Sequence, residues 1–209
     1  MLWKREKVFC IGRNKTGTTS LAKALKMLGY RIGRQDKAEP LMDDWGRRDF
    51  RRIVQYCRWA DAFQDVPFSL DYTYQVLDYA FPGSRFILSV RDSPDQWFAS
   101  LTRSQTKIVG KGRLPTAEDL RQFSYCEPGW LWKQHQIVYG VDESTLYDPE
   151  TYKRHYQDHN QGILDYFKYR PADLLVLNVS NPDAIQQLCD FLGHRRTTMI
   201  AMPHENKSA

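Results

Sequence analysis

The feature that most constrains the fold of this chain is an apolar segment near its start and the residues that follow it. Residues 8–11, Val-Phe-Cys-Ile, form a short apolar run that Gly12 ends. Such a run is typical of a buried parallel strand. After a short loop, apolar residues recur with helical spacing at Leu21, Ala24, Leu25 and Leu28. Residues 8–28 therefore predict a strand, a glycine-bounded loop and a helix that ends near Gly29.

The loop itself, residues 13–17, has the sequence Arg-Asn-Lys-Thr-Gly and is followed by two threonines and a serine. A strand-to-helix turn directs backbone N–H groups and the positive end of a helix dipole at one point. Lys15 adds a positive charge, and Gly17 lets an anion approach the backbone closely. We predict a site for a phosphate-sized anion. The alternative is an ordinary turn with a surface lysine.

This loop departs from the Walker A pattern, G-x-x-x-x-G-K-[ST], in which a lysine follows the second glycine. Gly12 and Gly17 fit the two glycines, but Thr18 occupies the lysine position and the loop's lysine comes earlier, at Lys15. A P-loop kinase remains an alternative, since residues 86–92 imitate a Walker B strand. A persuasive Mg²⁺ carboxylate is lacking, and we predict no metal site.

Composition limits the remaining classes. The net charge is +5 and the pI is about 9.0, which favours polyanionic ligands but equally describes a solvated basic surface. Lysines and arginines are scattered, so we expect no nucleic-acid partner. No apolar run approaches membrane-spanning length, and the four cysteines are far apart. We therefore expect a cytoplasmic protein with reduced thiols, no metal and no membrane span.

Further strands and helices alternate along the chain. Apolar runs at 62–64, 85–90 and 174–177 read as strands, the last as a buried one, and helical patterns separate them. This order predicts one α/β domain over residues 1–209 with a parallel sheet. Ligands of such sheets bind beyond the carboxyl ends of the strands, which places residues 12–19, Asp65 and Arg91 on one rim.

Residues 107–147 lack sustained periodicity but are rich in aromatic side chains. A weakly structured segment of this length is often a lid or a binding surface, and a peripheral helical insertion is the alternative. Trp130, Trp132 and Tyr139 could stack on a sugar or a phenol, or form a local core.

A second anion site is predicted where the strand at 85–90 ends. Arg91 follows the strand, and Ser93, Pro94 and Gln96 predict a helix start with a capping box. A guanidinium fork suits a terminal phosphate better than an ammonium does. The alternative is an arginine that pairs with Asp92 or Asp95.

Together these two stretches resemble sulfotransferases that use 3′-phosphoadenosine 5′-phosphosulfate (PAPS). Residues 15–19, Lys-Thr-Gly-Thr-Thr, are similar to the family's 5′-phosphosulfate loop, and Arg91 with Ser100 is similar to its 3′-phosphate motif, with one extra intervening residue. Residues 148–206 resemble the closing strand, helix and Pro-His-x-Asn tail of bacterial-type members. Ser20 and the link at 195–198 depart from the family pattern.

The resemblance implies a three-layer, P-loop NTPase-like α/β fold, with a central parallel sheet flanked by helices and a helical or irregular insertion at 107–147. It also implies transfer of a sulfuryl group from PAPS, without a metal, to a hydroxyl or amine of a small-molecule or carbohydrate acceptor, with release of 3′,5′-ADP. The implied cofactor-binding residues are Arg13, Asn14, Lys15, Thr16, Gly17, Thr18, Thr19, Arg91 and Ser100. Lys15 would also be catalytic, because it would neutralise charge on the leaving oxygen.

The acceptor requires a base, for which the sequence offers two candidates. Asp65 occupies the approximate position of the glutamate of carbohydrate sulfotransferases, and His135 lies in the insertion. Otherwise Asp65 caps the turn before Pro67. His159, on an apolar helical stripe, reads as a core histidine. A catalytically idle protein that binds a nucleotide remains a further alternative, and the sequence does not indicate the acceptor or the oligomeric state.

Overall fold

The computed structural model describes residues 6–194 and 201–203 of the chain. The strands are β1 (Val8–Cys10), β2 (Ala62–Phe63), β3 (Arg85–Ser89) and β4 (Leu174–Leu177). The helices are α1 (Thr18–Met27), α2 (Gln35–Ala38), α3 (Met42–Gly46), α4 (Arg51–Tyr56), α5 (Thr73–Ala80), α6 (Pro94–Ile108), α7 (Ala117–Gln122), α8 (Trp130–Tyr139), α9 (Pro149–Phe167) and α10 (Ala184–Phe191). Short 3-10 helices cover Glu39–Leu41 and Pro171–Asp173.

The four described strands form one all-parallel sheet in the order β2-β1-β3-β4. Val8 of β1 pairs with Ala62 of β2 and with Arg85 of β3, and Phe86 pairs with Leu174 of β4. The predicted α/β fold, a central parallel sheet flanked by helices, is confirmed. Strand β1 is internal, so the loop that follows it leaves from the middle of the sheet.

The helical face predicted from the sequence of α1 is the face that packs on this sheet. Leu21, Ala24 and Leu25 are fully buried in a cluster formed with apolar residues of β1, β4 and α10. Gly29, with φ of +84°, follows the helix as its left-handed terminator. The spacing of apolar residues therefore predicted which face α1 buries, and the glycine at position 29 predicted where the helix ends.

Strand β4 differs from the prediction of a fully buried strand. It lies at the edge of the sheet, where Leu174 and Leu175 are half-buried and Val176 is 44% exposed. A run of four apolar residues looks the same in an edge strand and in a central one, because position in a sheet depends on distant partners.

The chain divides into two compact units. The sheet unit comprises residues 1–90 and 162–209, and the helical unit comprises residues 91–161. The predicted extent of a single functional domain over residues 1–209 stays a prediction.

In the helical unit, the insertion at 107–147 is more regular than its sequence predicts. It contains α7 and α8, and the start of α7 has a capping box in which Thr116 and Asp119 bond each other's backbone N–H. Trp130, Trp132 and Tyr139 are all buried. Their rings therefore contribute to the core of this unit, which favours the local-core alternative over stacking on an acceptor.

Candidate functional site

The loop after β1 is shaped by glycines at both of its ends. A Cβ at Gly12 would lie 2.2 Å from the carbonyl oxygen of Ser89, and one at Gly17 would lie 2.2 Å from Cγ2 of Val179. Gly17 also has φ of +96°, and Lys15 has φ of +67°. The left-handed conformation at Lys15 is uncommon for a residue with a side chain and is typical of functional loops.

The threonine at the centre of the loop ties it to the sheet. The buried hydroxyl of Thr16 donates to the carbonyl oxygen of Arg13 at 2.6 Å and lies 2.6 Å from Oγ of Ser89. Ser89 is the last residue of β3, the strand beside β1. The Thr16 side chain thus stabilises the loop. The predicted contact of Thr16 with the cofactor would be made by its backbone N–H.

The side chain of Arg13, a predicted cofactor-binding residue, is buried against the protein. Its guanidinium is 2% exposed, and Nη2 donates to both carboxylate oxygens of Asp71 at 2.9 and 3.0 Å. Nη1 donates to the carbonyl oxygen of Ser69 at 3.2 Å. This side chain therefore joins the loop to residues 69–71, a segment that precedes α5.

Asp65 follows β2 and has φ of +61°. One of its carboxylate oxygens accepts from the backbone N–H of Val66 at 2.9 Å and the other accepts from Oγ1 of Thr18 at 3.2 Å. Burial raises the pKa of this carboxyl group, while the positive charge of Lys15 and these two hydrogen bonds lower it in part. Asp65 therefore lies at the loop, bonded to the first residue of α1 and within electrostatic reach of Lys15.

The loop and Asp65 make one site at the carboxyl ends of β1 and β2. Helix α1 begins at Thr18, and the first turn of a helix directs its N–H groups towards its N-terminal end. A half-buried lysine, a helix N-terminus and a left-handed loop are a donor set for an anion. A carboxylate with a raised pKa beside them is suited to accept a proton. Thr19, also predicted here, is exposed in the first turn, and Asn14 is half-buried in the loop.

In the helical unit, Arg91 is held by a tyrosine and by the start of α6. Its backbone N–H donates to Oη of Tyr156 at 2.9 Å, and the Tyr156 ring stacks on Trp97 with centroids 4.7 Å apart. Oγ of Ser93 accepts from the backbone N–H of Gln96 at 3.1 Å, as predicted for the N-cap of α6. The predicted capping box differs in one detail, because the Gln96 side chain accepts from the N–H of Asp92.

The electrostatic surroundings of Arg91 suit an anion. Burial lowers the pKa of its guanidinium, and the nearby positive charge of Arg103 lowers it further. Tyr156 and Asp92 raise this pKa in part. Arg103 is three residues beyond Ser100 on α6, so the two share a helix face. Ser100 is half-buried, and it belongs to the same unit as Arg91.

The two histidines considered from the sequence lie inside the helical unit. His135 is 1% exposed, its Nδ1 lies 2.6 Å from Oη of Tyr152, and burial lowers its pKa to about 4. A base for an acceptor needs access to that acceptor, which this aromatic surrounding denies to His135. His159 is also buried, as predicted for a core histidine on the stripe of α9.

Three residues that contribute to these sites were not singled out from the sequence. Ser89 and Asp71 lie 73 and 58 residues from their loop partners, so no local pattern points to them. Arg103 could have been found, because its spacing from Ser100 predicts a common helix face.

Comparison with known proteins agrees with the geometry. A family model of the sulfotransferase domain matches residues 7–209, and the chain belongs to this sulfotransferase family. It is therefore a transferase of the class that moves sulfuryl groups. No curated protein matches the chain significantly.

Among the described residues, 6–194 and 201–203, no helix is both long and apolar enough to cross a membrane. Nor do their histidines, cysteines and carboxylates come together in groups that could hold a metal ion.

Proposed function

We propose that this protein transfers the sulfuryl group of PAPS to a hydroxyl or amine of a small-molecule or carbohydrate acceptor and releases 3′,5′-ADP. The observation that carries the proposal is that one loop brings together a cation, which would bind an anionic group, and a carboxylate, which would accept a proton. Lys15 lies on a glycine-bounded loop at a helix N-terminus, and Asp65, a carboxylate with a raised pKa, lies beside it.

The donor set of the loop fits a phosphosulfate. It combines one ammonium, the N–H groups of the first turn of α1 and the left-handed backbone of Lys15 and Gly17. PAPS supplies an activated sulfuryl group whose departure leaves negative charge on the bridging phosphate oxygen.

Lys15 would stabilise that charge, and the loop N–H groups would orient the phosphosulfate. Such transfers resemble phosphoryl transfer, in which positioning and charge stabilisation provide most of the catalysis. Asp65 would accept the proton of the acceptor nucleophile. Its raised pKa favours that role, because a base works best when its pKa lies nearer the working pH.

Arg91 and Ser100 of the helical unit would bind the 3′-phosphate. The support for this assignment is a guanidinium with the positive charge of Arg103 nearby, an arrangement that a bound dianion would stabilise. The cytoplasmic location predicted from the sequence remains a prediction.

The test compares two nucleotides that differ in where the second phosphate is attached. We expect 3′,5′-ADP to raise the melting temperature more than ADP at equal concentration, with EDTA present, since only a ligand of the folded state stabilises it. A screen of hydroxyl and amine acceptors with radiolabelled PAPS then seeks transfer. Equal shifts for the two nucleotides, or stabilisation by ADP only with Mg²⁺, would support a kinase-like protein instead. Strong 3′,5′-ADP binding without transfer to any acceptor would support an idle binder.

A further inference from the structure

Arg13 is the one loop residue whose long side chain turns into the protein. A buried guanidinium requires partners, and this one has three oxygen acceptors: two from the Asp71 carboxylate and one from the carbonyl of Ser69. The Asp71 side chain is itself 29% exposed. The guanidinium uses two nitrogens, Nη2 towards the Asp71 carboxylate and Nη1 towards the Ser69 carbonyl, so its orientation is fixed as well as its distance. A lysine in place of the arginine has a single nitrogen and would not fix both.

The segment that Arg13 holds is the one that carries Asp65. The backbone N–H of Ser69 donates to the carbonyl oxygen of Asp65 at 2.9 Å, so residues 65–69 form one turn. Asp65 begins this turn in a left-handed conformation, which an aspartate adopts at some energetic cost. Two more bonds secure the same segment: Trp45 Nε1 donates to the carbonyl of Asp71, and Gln35 Nε2 donates to that of Val66.

Arg13 therefore connects the two halves of the candidate active site. Its own backbone begins the loop in which Lys15 lies two residues later, and its side chain ends on the turn that Asp65 begins. Thr18 also links the two halves, through a single bond of 3.2 Å from its Oγ1 to Asp65. Arg13 contributes three bonds from the loop to residues 69–71, one of them to Ser69 of the turn.

We infer that Arg13 is a positioning residue: paired with Asp71, it sets the distance between Lys15 and Asp65 and does not contact the nucleotide. This inference rests on the proposed function for the roles of Lys15 and Asp65. A misplacement of about 1 Å at a reacting centre costs on the order of 100-fold in rate. Loss of the pair should therefore lower turnover while leaving nucleotide affinity nearly unchanged.

The test uses Arg13→Lys, Asp71→Asn and the double variant, all chosen to keep the charge or the shape of the site. We expect each to lower kcat by about 10- to 100-fold, with KM for PAPS and the Kd of 3′,5′-ADP changed by less than about threefold. The double variant should be no slower than the worse single variant, because both remove one interaction. The amide of Ser69 should exchange its hydrogen faster in all three.

A matched control separates positioning from stability. Asp78 and Arg170 form a different arginine–carboxylate pair of the sheet unit, with bonds of 3.2 and 2.7 Å. Asp78→Asn and Arg170→Lys should lower the melting temperature without lowering kcat and without changing exchange at Ser69.

Three results would overturn the inference. A loss of 3′,5′-ADP affinity of tenfold or more in Arg13→Lys would make Arg13 a ligand contact. An unchanged kcat would contradict the positioning role of Arg13. Effects of the two single variants that multiply in the double variant would show that Arg13 and Asp71 act independently. If the wild-type protein neither binds 3′,5′-ADP nor transfers sulfate, the proposed function fails, and Ser69 exchange alone decides whether the pair holds the turn.

Discussion

The two predicted anion sites of this protein are built by different means. The loop at residues 12–19 is shaped by backbone: glycines at both ends, a left-handed lysine and a threonine bonded to the neighbouring strand. The site at Arg91 is formed by side chains at the start of a regular, capped helix. The first depends on how closely chain segments approach, and the second depends on which side chains the helix presents.

This difference predicts how the sites respond to substitution. A change in loop shape should affect folding and all nucleotides together, because the same backbone serves both the sheet and the ligand. A truncation at Arg91 should affect one phosphate and little else.

The largest effect is expected for Asp65→Asn. If Asp65 is the general base, turnover should fall by about 10² to 10⁴, because the amide keeps the shape but not the basicity. Binding of 3′,5′-ADP should change little. Steady-state kinetics with an acceptor from the screen and calorimetry with 3′,5′-ADP measure the two quantities. Asp61→Asn, which alters a nearby carboxylate paired with Arg31, is the control. A variant that keeps most of its turnover would assign the base elsewhere.

Gly17→Ala should disrupt the backbone-built site. The left-handed conformation costs a Cβ-bearing residue about 1–2 kcal/mol, and the contact with Val179 adds about 1–3 kcal/mol of overpacking. Gly83→Ala is a matched control, since Gly83 has φ of +81° and nothing lies within 4 Å of an added Cβ. Urea unfolding should show a clearly larger loss for Gly17→Ala. Equal losses would mean that the Val179 contact relaxes without cost.

Arg91→Ala should change selectivity rather than binding in general. Charge-assisted bonds contribute about 1.5–3 kcal/mol, so 3′,5′-ADP should bind roughly 10- to 100-fold more weakly while ADP is little affected. Lys15→Ala should weaken both nucleotides. Calorimetry with both nucleotides measures these affinities in each variant. Lys107→Ala, at an exposed position of α6, is the control. Equal weakening of the two nucleotides by Arg91→Ala would exclude its assignment to the 3′-phosphate.

The smallest effect concerns stability and pH. Burial raises the folded-state pKa of Asp65, so its stabilising contribution is fully present below the ordinary value of about 3.9 and is lost as pH rises through the raised value. Asp65→Asn should therefore be slightly more stable than the wild type at neutral pH, and the difference should vanish in acid. Melting temperatures measured from pH 3 to 8 would show this. A variant that is less stable at every pH would identify Asp65 as a structural cap.

Local spacing of residue types was enough to predict several elements of the fold. Apolar periodicity predicted β1 and α1, and a serine and a proline predicted the start of α6. These features depend on neighbours within about two helical turns, so the pattern of residue types is sufficient. The anion site in the Lys-Thr-Gly-Thr-Thr run stays a prediction. The insertion was less predictable, because its short helices have little periodicity and depend on buried aromatic contacts.

Contacts between residues distant in sequence determine which polar side chains are buried against the protein and which stay accessible. Arg13 and Lys15 are both cations of one short loop, yet Asp71, 58 residues from Arg13, pairs with its guanidinium inside the protein. In the same way, the edge position of β4 exposes Val176, and the burial of His135 deprives it of access. Each outcome depends on the burial and charge of groups distant in sequence, and no local pattern records which distant groups will meet.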